Sequence, residues 1–257
     1  MTKSKKERTA EIQKSLETRK RFPISYFDSR KYIQHNVLLG DGLGPILAFM
    51  DELPAGRTKV DVHRTLEDGN YSMAHADYEL GDWGRMVGFE IHRWEDDRIV
   101  EHWDNLQPTP TSPNASGRTM TDGEAEVSDI ERTSSNKVLV ERFTTEVLIA
   151  RDLAKVAGYF KRDRLIQHSP LLGDGVPALT ASLSSGAMEY SRLHKLVGEG
   201  NMVLAISEGA TSGEDGRRRP TAFYDLYRIE GGVLAEHWDV VEPVAPREAW
   251  KNSNGKF

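Results

Sequence analysis

The chain has 257 residues, a length suited to two compact domains rather than one. Its 34 Lys and Arg against 40 Asp and Glu leave a formal net charge of −6, which argues against a protein that binds nucleic acid by neutralising many phosphates. The absence of Cys excludes disulfides, thiolate nucleophiles and Cys-ligated metals, and the longest nearly apolar stretch, Leu43–Met50, is far too short to cross a bilayer.

The N-terminal run MTKSKKERTAEIQKSLE is charged throughout and lacks the apolar segment of a secretion signal, so the expected location is cytoplasmic. Tyr26-Phe27 comes next, then IQHNVLLGDG at 33–42, then an expected helix from Leu43 to Leu53. Val60 and Val62 alternate with polar neighbours as a half-buried strand does. Gly69-Asn70 follows, and EHWD at 101–104 ends the unit. Residues 107–129 are rich in Pro, Ser, Thr and Gly and poor in large apolar side chains, which is linker chemistry. The same series then returns. Ser135-Asn136 is expected to cap a helix whose apolar residues Val138, Leu139, Phe143, Val147 and Leu148 recur at helical spacing. A short helix should end near Tyr159-Phe160, and IQHSPLLGDG at 166–175 matches its earlier counterpart at eight of ten positions, 133 residues on. Val176 to Leu183 reads as a helix, and Met202–Ile206, Phe223–Ile229 and Val233–Val241 read as strands. Gly200-Asn201 and the second EHWD, at 236–239, keep the order at offsets of 131 and 135. A period above 100 residues means a duplicated domain, with domain 1 at 1–107, a linker at 108–132 and domain 2 at 133–257. Helices first and antiparallel strands afterwards describe an α+β domain in which helices cover one face of a curved sheet.

The two strands that end each copy determine which side chains meet, because neighbours along a strand alternate between faces. If Glu230–Gly232 forms a three-residue loop, Asp225 falls opposite His237, and the same register puts Glu90 opposite His102. A two-residue loop instead separates carboxylate and imidazole onto opposite faces. Arg93 and Arg228 are expected on the outer face, paired with surface carboxylates, and Trp103 and Trp238 beside them as the packing between two sheets. His63 and His194 recur on the first strand of each sheet and are candidates for lining a substrate cavity.

IQH followed by GDG, then a strand ending in Arg, a tight turn and EHWD resembles the SnoaL-like polyketide cyclase group of the nuclear transport factor 2-like (NTF2-like) superfamily, and within it the tandem predicted SnoaL-like aldol-condensation proteins. The resemblance covers nearly the whole chain and implies two tandem cone-shaped α+β barrels, each with an internal cavity. It extends to ketosteroid isomerases, so Glu90 and Asp225 become candidate neutral acids, His35 and His168 candidate general bases, and His102 and His237 groups that orient substrate or shuttle a proton. The expected ligand is a small hydrophobic carbonyl compound, transformed without a cofactor by cyclisation, isomerisation or dehydration. The alternatives are a non-catalytic module that binds a small molecule and, if the cones are filled, a structural scaffold. Family members are commonly dimers, which implies an intrachain pseudo-dimer of the two domains. His35, His102 and Glu90 include the ligand types of some iron sites, but no supporting spacing accompanies them and no metal is expected.

Overall fold

The computed structural model describes residues 3–213 and 215–257. They form two α+β units, the first comprising residues up to Thr109 together with Ala245–Phe257, the second Pro110–Val244. The expected boundaries are displaced in two places. Residues 110–132, read as a linker, belong to unit 2, and Ala245–Phe257, read as the end of domain 2, belongs to unit 1. Their backbones explain why: Lys251 N–H donates to Val37 O in unit 1, and Asn201 N–H donates to Ser128 O in unit 2.

In unit 1, helix α1 (Lys5–Thr18) precedes β1 (Ile33–Gln34), α2 (Leu43–Glu52), β2 (Thr58–Asp68), β3 (Tyr71–Leu80), β4 (Arg85–Glu95) and β5 (Arg98–Pro108). The sheet order is β1-β5-β4-β3-β2, with β1 parallel to β5 and every other pair antiparallel. Ser4 starts α1 through a capping box with Glu7, worth about 1 kcal/mol. The helix covers one face of the sheet: Thr9 Oγ1 lies 2.7 Å from Ser72 Oγ, and Tyr78 Oη lies 3.1 Å from Gln13 Oε1. We call this the inner face.

Unit 2 repeats the plan with α3 (Thr133–Arg142), β6 (Ile166–Gln167), α4 (Val176–Ser185), β7 (Met188–Glu199), β8 (Met202–Ser212), β9 (Arg218–Glu230) and β10 (Val233–Pro243), in the order β6-β10-β9-β8-β7. The α3 helix starts before Ser135-Asn136, so those residues lie inside it rather than at its cap. Asn136 is buried and donates through Nδ2 to Gly200 O at 2.9 Å, tying the helix to the β7–β8 turn. Gly200 holds a φ of +59°, and a Cβ there would lie 1.9 Å from Ser128 O, so the turn accepts only glycine. Inner-face residues Tyr190, Val203, Ala205, Phe223 and Tyr227 form one apolar core with Val140, Phe143 and Val147 from the helical side.

The hairpins that place the candidate residues reach the expected outcome by an unexpected route. The loops have two residues: Asp96-Asp97 with φ of 47° and 64°, and Gly231-Gly232 with φ of 60° and 80°. Both central residues at positive φ is the requirement of a type I′ turn. A one-residue bulge then follows at Val100 and at Ala235 and reverses the parity. His102 therefore stays on the face of Glu90, and His237 on the face of Asp225, but the residues in register are Glu90 with Asp104 and Asp225 with Asp239.

Candidate active site

On the inner face of unit 1, His102 Nε2 lies 2.7 Å from Glu90 Oε2, and His102 Nδ1 lies 2.9 Å from Gln34 Oε1. Gln34 in turn donates through Nε2 to Tyr32 Oη at 3.0 Å, and Tyr78 Oη donates to Glu90 Oε1 at 3.2 Å. Burial raises the pKa of Glu90 despite the opposing hydrogen bond from His102. Burial works against a charge on His102, but the hydrogen bond and charge of Glu90 outweigh it and its pKa is raised. His92, stacked on His102 at 5.0 Å, is driven well below the ordinary histidine value by burial and by the His102 charge. A second carboxylate, Asp104, accepts from Asn36 Nδ2 at 2.6 Å and pairs with Lys256 Nζ at 3.4 Å. Lys256 is only 3% exposed. Two buried acids thus meet two basic groups.

The inner face of unit 2 repeats the dyad. His237 Nε2 lies 3.0 Å from Asp225 Oδ1, His237 Nδ1 lies 2.9 Å from Gln167 Oε1, and Tyr190 Oη donates to Asp225 Oδ1 at 3.2 Å. Leu165 stands where unit 1 has Tyr32, and Gln167 Nε2 has no hydrogen-bond partner among the described residues. Asp225 Oδ2 and Asp239 Oδ1 accept no hydrogen bond from the described residues either. Both acids line a cavity of about 20 Å³ whose walls are Leu148, Leu165, Leu172, Leu179 and Leu183, closed by Met188, Tyr190, Tyr227 and His237. That is room for a single water-sized group. Burial pushes the Asp239 carboxyl up to about 6, with the Asp225 charge adding to it and the His237 charge opposing. No lysine accompanies Asp239, so burial goes without the offset that Lys256 gives Asp104, and the carboxyl keeps its proton to a higher pH than an ordinary aspartate.

His35 and His168, expected as bases beside these groups, lie on the other face of the sheet. The cause is parity: in IQH it is the glutamine that points inward, and the next residue points out. His35 stacks on Trp103 at 4.8 Å, with Nε2 2.9 Å from Glu101 Oε1 and Nδ1 2.9 Å from Gly255 O. His168 stacks on Trp238 at 4.7 Å, with Nε2 2.8 Å from Glu236 Oε1 and Nδ1 2.6 Å from Asp122 Oδ1. Arg93 and Arg228 are on this outer face as expected, donating through Nε to Glu101 at 2.6 Å and Glu236 at 2.7 Å. Glu236, however, is buried rather than a surface carboxylate. Trp103 and Trp238 share the outer face, packed against these histidines.

His63 and His194 do not reach the inner sites. Each sits at a bulge, His63 2.9 Å from Asp77 and His194 3.2 Å from Glu208. Asp77 alternates with inward-facing Tyr78, so the His63 pair belongs to the outer face. The combination of His35, His102 and Glu90 is therefore not assembled as a metal set. Among the described residues Glu90, His102 and Asp104 do come within 4.8 Å of one another, a set with the residue types of a metal site. The Lys256 ammonium at Asp104 already supplies the cation there.

The sequence reading missed Asp104, Asp239, Gln34, Gln167, Tyr78, Tyr190 and Lys256. The Asp of each EHWD follows its His by two positions and so shares its face, a signal present in the repeat itself. Tyr78 and Tyr190 come from different strands of the repeat, β3 and β7, and Lys256 from a tail with no counterpart motif.

No family model matches the chain, and no curated protein matches it. Among solved structures it is similar to an LEH-like epoxide hydrolase from Mycobacterium tuberculosis (17% identity over 43% of this chain and 85% of that one, TM-score 0.36). It is similar to a SnoaL-like polyketide cyclase from Agrobacterium tumefaciens (13% identity, 40% and 91%, TM-score 0.34) and to an NTF2-like protein from Burkholderia xenovorans (18%, 46% and 97%, TM-score 0.36). Each of these likenesses spans less than half of this chain.

Proposed function

We propose that unit 2 is a cofactor-independent acid–base catalyst that takes a proton from the carbon beside the carbonyl of a small hydrophobic compound and stabilises the resulting enolate. The observation that carries this reading is a pair of carboxyl groups, Asp225 and Asp239, that line one leucine-walled cavity and each keep one oxygen, Oδ2 and Oδ1, without a hydrogen-bond partner among the described residues. Two acids in different surroundings can take different roles. Asp225, held through its other oxygen by His237 and Tyr190, is the base; Asp239, raised to about 6, donates a hydrogen bond to the oxyanion in its protonated form. His237 positions Asp225 and is itself oriented by Gln167. His35 and His168 take no part in this reading. A substrate larger than one small group is admitted only as the leucine side chains part.

The test is deuterium exchange at the α-carbons of a panel of small apolar ketones in D₂O, followed by NMR. D239N and D225N should each lower the exchange rate about 100- to 10,000-fold, while D104N in unit 1 leaves it unchanged. Exchange no faster than buffer with every ketone, or wild-type rates in D239N, overturns the proposal. The small size of the cavity favours a second reading, a module whose buried acids bind without turnover, and the same panel supports it if ketones bind and no exchange occurs.

A further inference from the structure

Unit 1 and unit 2 present the same pair of cross-strand acids beside the same histidine, and they differ in what faces the second acid. In unit 1 a primary ammonium, Lys256 Nζ, lies 3.4 Å from Asp104 Oδ1, fully enclosed and delivered by a tail whose Asn254 holds Gln34 O at 2.9 Å. Its charge also acts on His102, so it belongs to the same cluster. In unit 2 the matching oxygen, Asp239 Oδ1, has no partner among the described residues, nor has Asp225 Oδ2 across the strand pair. Both residues are at least nine-tenths buried and both face the cavity.

From this contrast we propose that the unit 2 cavity is a binding site for a primary alkylammonium, whose nitrogen takes beside Asp225 and Asp239 the place that the Lys256 nitrogen takes beside Asp104. An ammonium offers three donors and no acceptor, which suits two carboxyl oxygens that lack donors. The cavity of about 20 Å³ admits one water-sized headgroup, an –NH₃⁺ group is of that size, and its alkyl stem enters only as the leucine side chains part. Its aliphatic walls, Leu148, Leu165, Leu172 and Leu179 among them, suit an alkyl stem and do not suit the hydration shell of a metal ion. Unit 1 then carries its occupant as part of the chain, and unit 2 takes a free one.

The proposal goes beyond the catalytic reading and is tested without turnover, so failure of ketone exchange leaves it standing. The experiment titrates the full chain with n-butylammonium at constant sodium chloride, by calorimetry and ligand-observed NMR, with n-butanol as the uncharged control. The expected result is saturable binding of one equivalent, weakened at least tenfold in D239N and absent for n-butanol. K256A opens the equivalent place in unit 1, so its stoichiometry should rise to two. Equal binding of butanol, undiminished binding by folded D239N, or no saturable binding to the wild type overturns the proposal. Should K256A unfold unit 1, the wild-type and D239N titrations decide alone.

Discussion

Replacing Lys256 by Met keeps most of the buried stem and removes only the cation that faces Asp104. The size of the effect can be taken from the other copy, where the same carboxyl without a lysine stands at about 6 against an ordinary 3.8. A gap of about two pH units at about 1.36 kcal/mol per unit gives about 3 kcal/mol. The sign follows from which form the fold disfavours. A raised carboxyl pKa means the folded unit resists the charged form, so the K256M loss is nearly absent at pH 4, grows as pH rises, and is complete above about pH 6. At pH 8 K256M should be about 3 kcal/mol less stable than the wild type, and K256M with D104N should recover most of that, because a buried pair replaced at both ends leaves no unpaired charge. The readout is urea unfolding by tryptophan fluorescence in a W238F background, since Trp83, Trp94, Trp103 and Trp250 all belong to unit 1. A loss that is the same at pH 4 and pH 8, or a double variant no better than K256M, refutes the reasoning.

Asp239 raised to about 6 also predicts that unit 2 of the wild type loses up to about 3 kcal/mol between pH 4 and pH 8, and that D239N flattens this dependence; urea midpoints across that range measure it. If the protonated Asp239 is the working acid, ketone exchange should fall about tenfold per pH unit well above pH 6, and a flat profile from pH 6 to 9 counts against the assignment. His168→Ala removes one of two partners from Glu236, which keeps Arg228, and a partner from Asp122, so it should cost about 2 kcal/mol and raise amide exchange across 119–124, with ketone exchange per folded molecule unchanged. Gly200→Ala should cost at least 2 kcal/mol, because the added methyl meets Ser128 O at 1.9 Å in a turn of positive φ; a cost under 0.5 kcal/mol in thermal unfolding would refute that geometry.

The duplication, the α+β class and the order of elements were legible in the sequence because they are carried by local pattern: a repeated decapeptide, period-two strands, and turn residues at fixed places. The pairing of Glu90 with His102 was legible as well, although the loop has two residues and a bulge restores the face, since Val100 and Ala235 leave no mark in composition that distinguishes a bulge from a longer turn. The direction of His35 and His168 was decided by one residue of parity on a two-residue strand, too short for alternation to declare itself. The partner of Asp104 was decided by where the chain's last residues fold, 152 positions away. Sequence alone determines what neighbours along the chain can form, through propensity and spacing. Only the tertiary structure brings Lys256 to one acid and raises the pKa of the other, Asp239, because the charge balance of a buried group depends on everything packed around it.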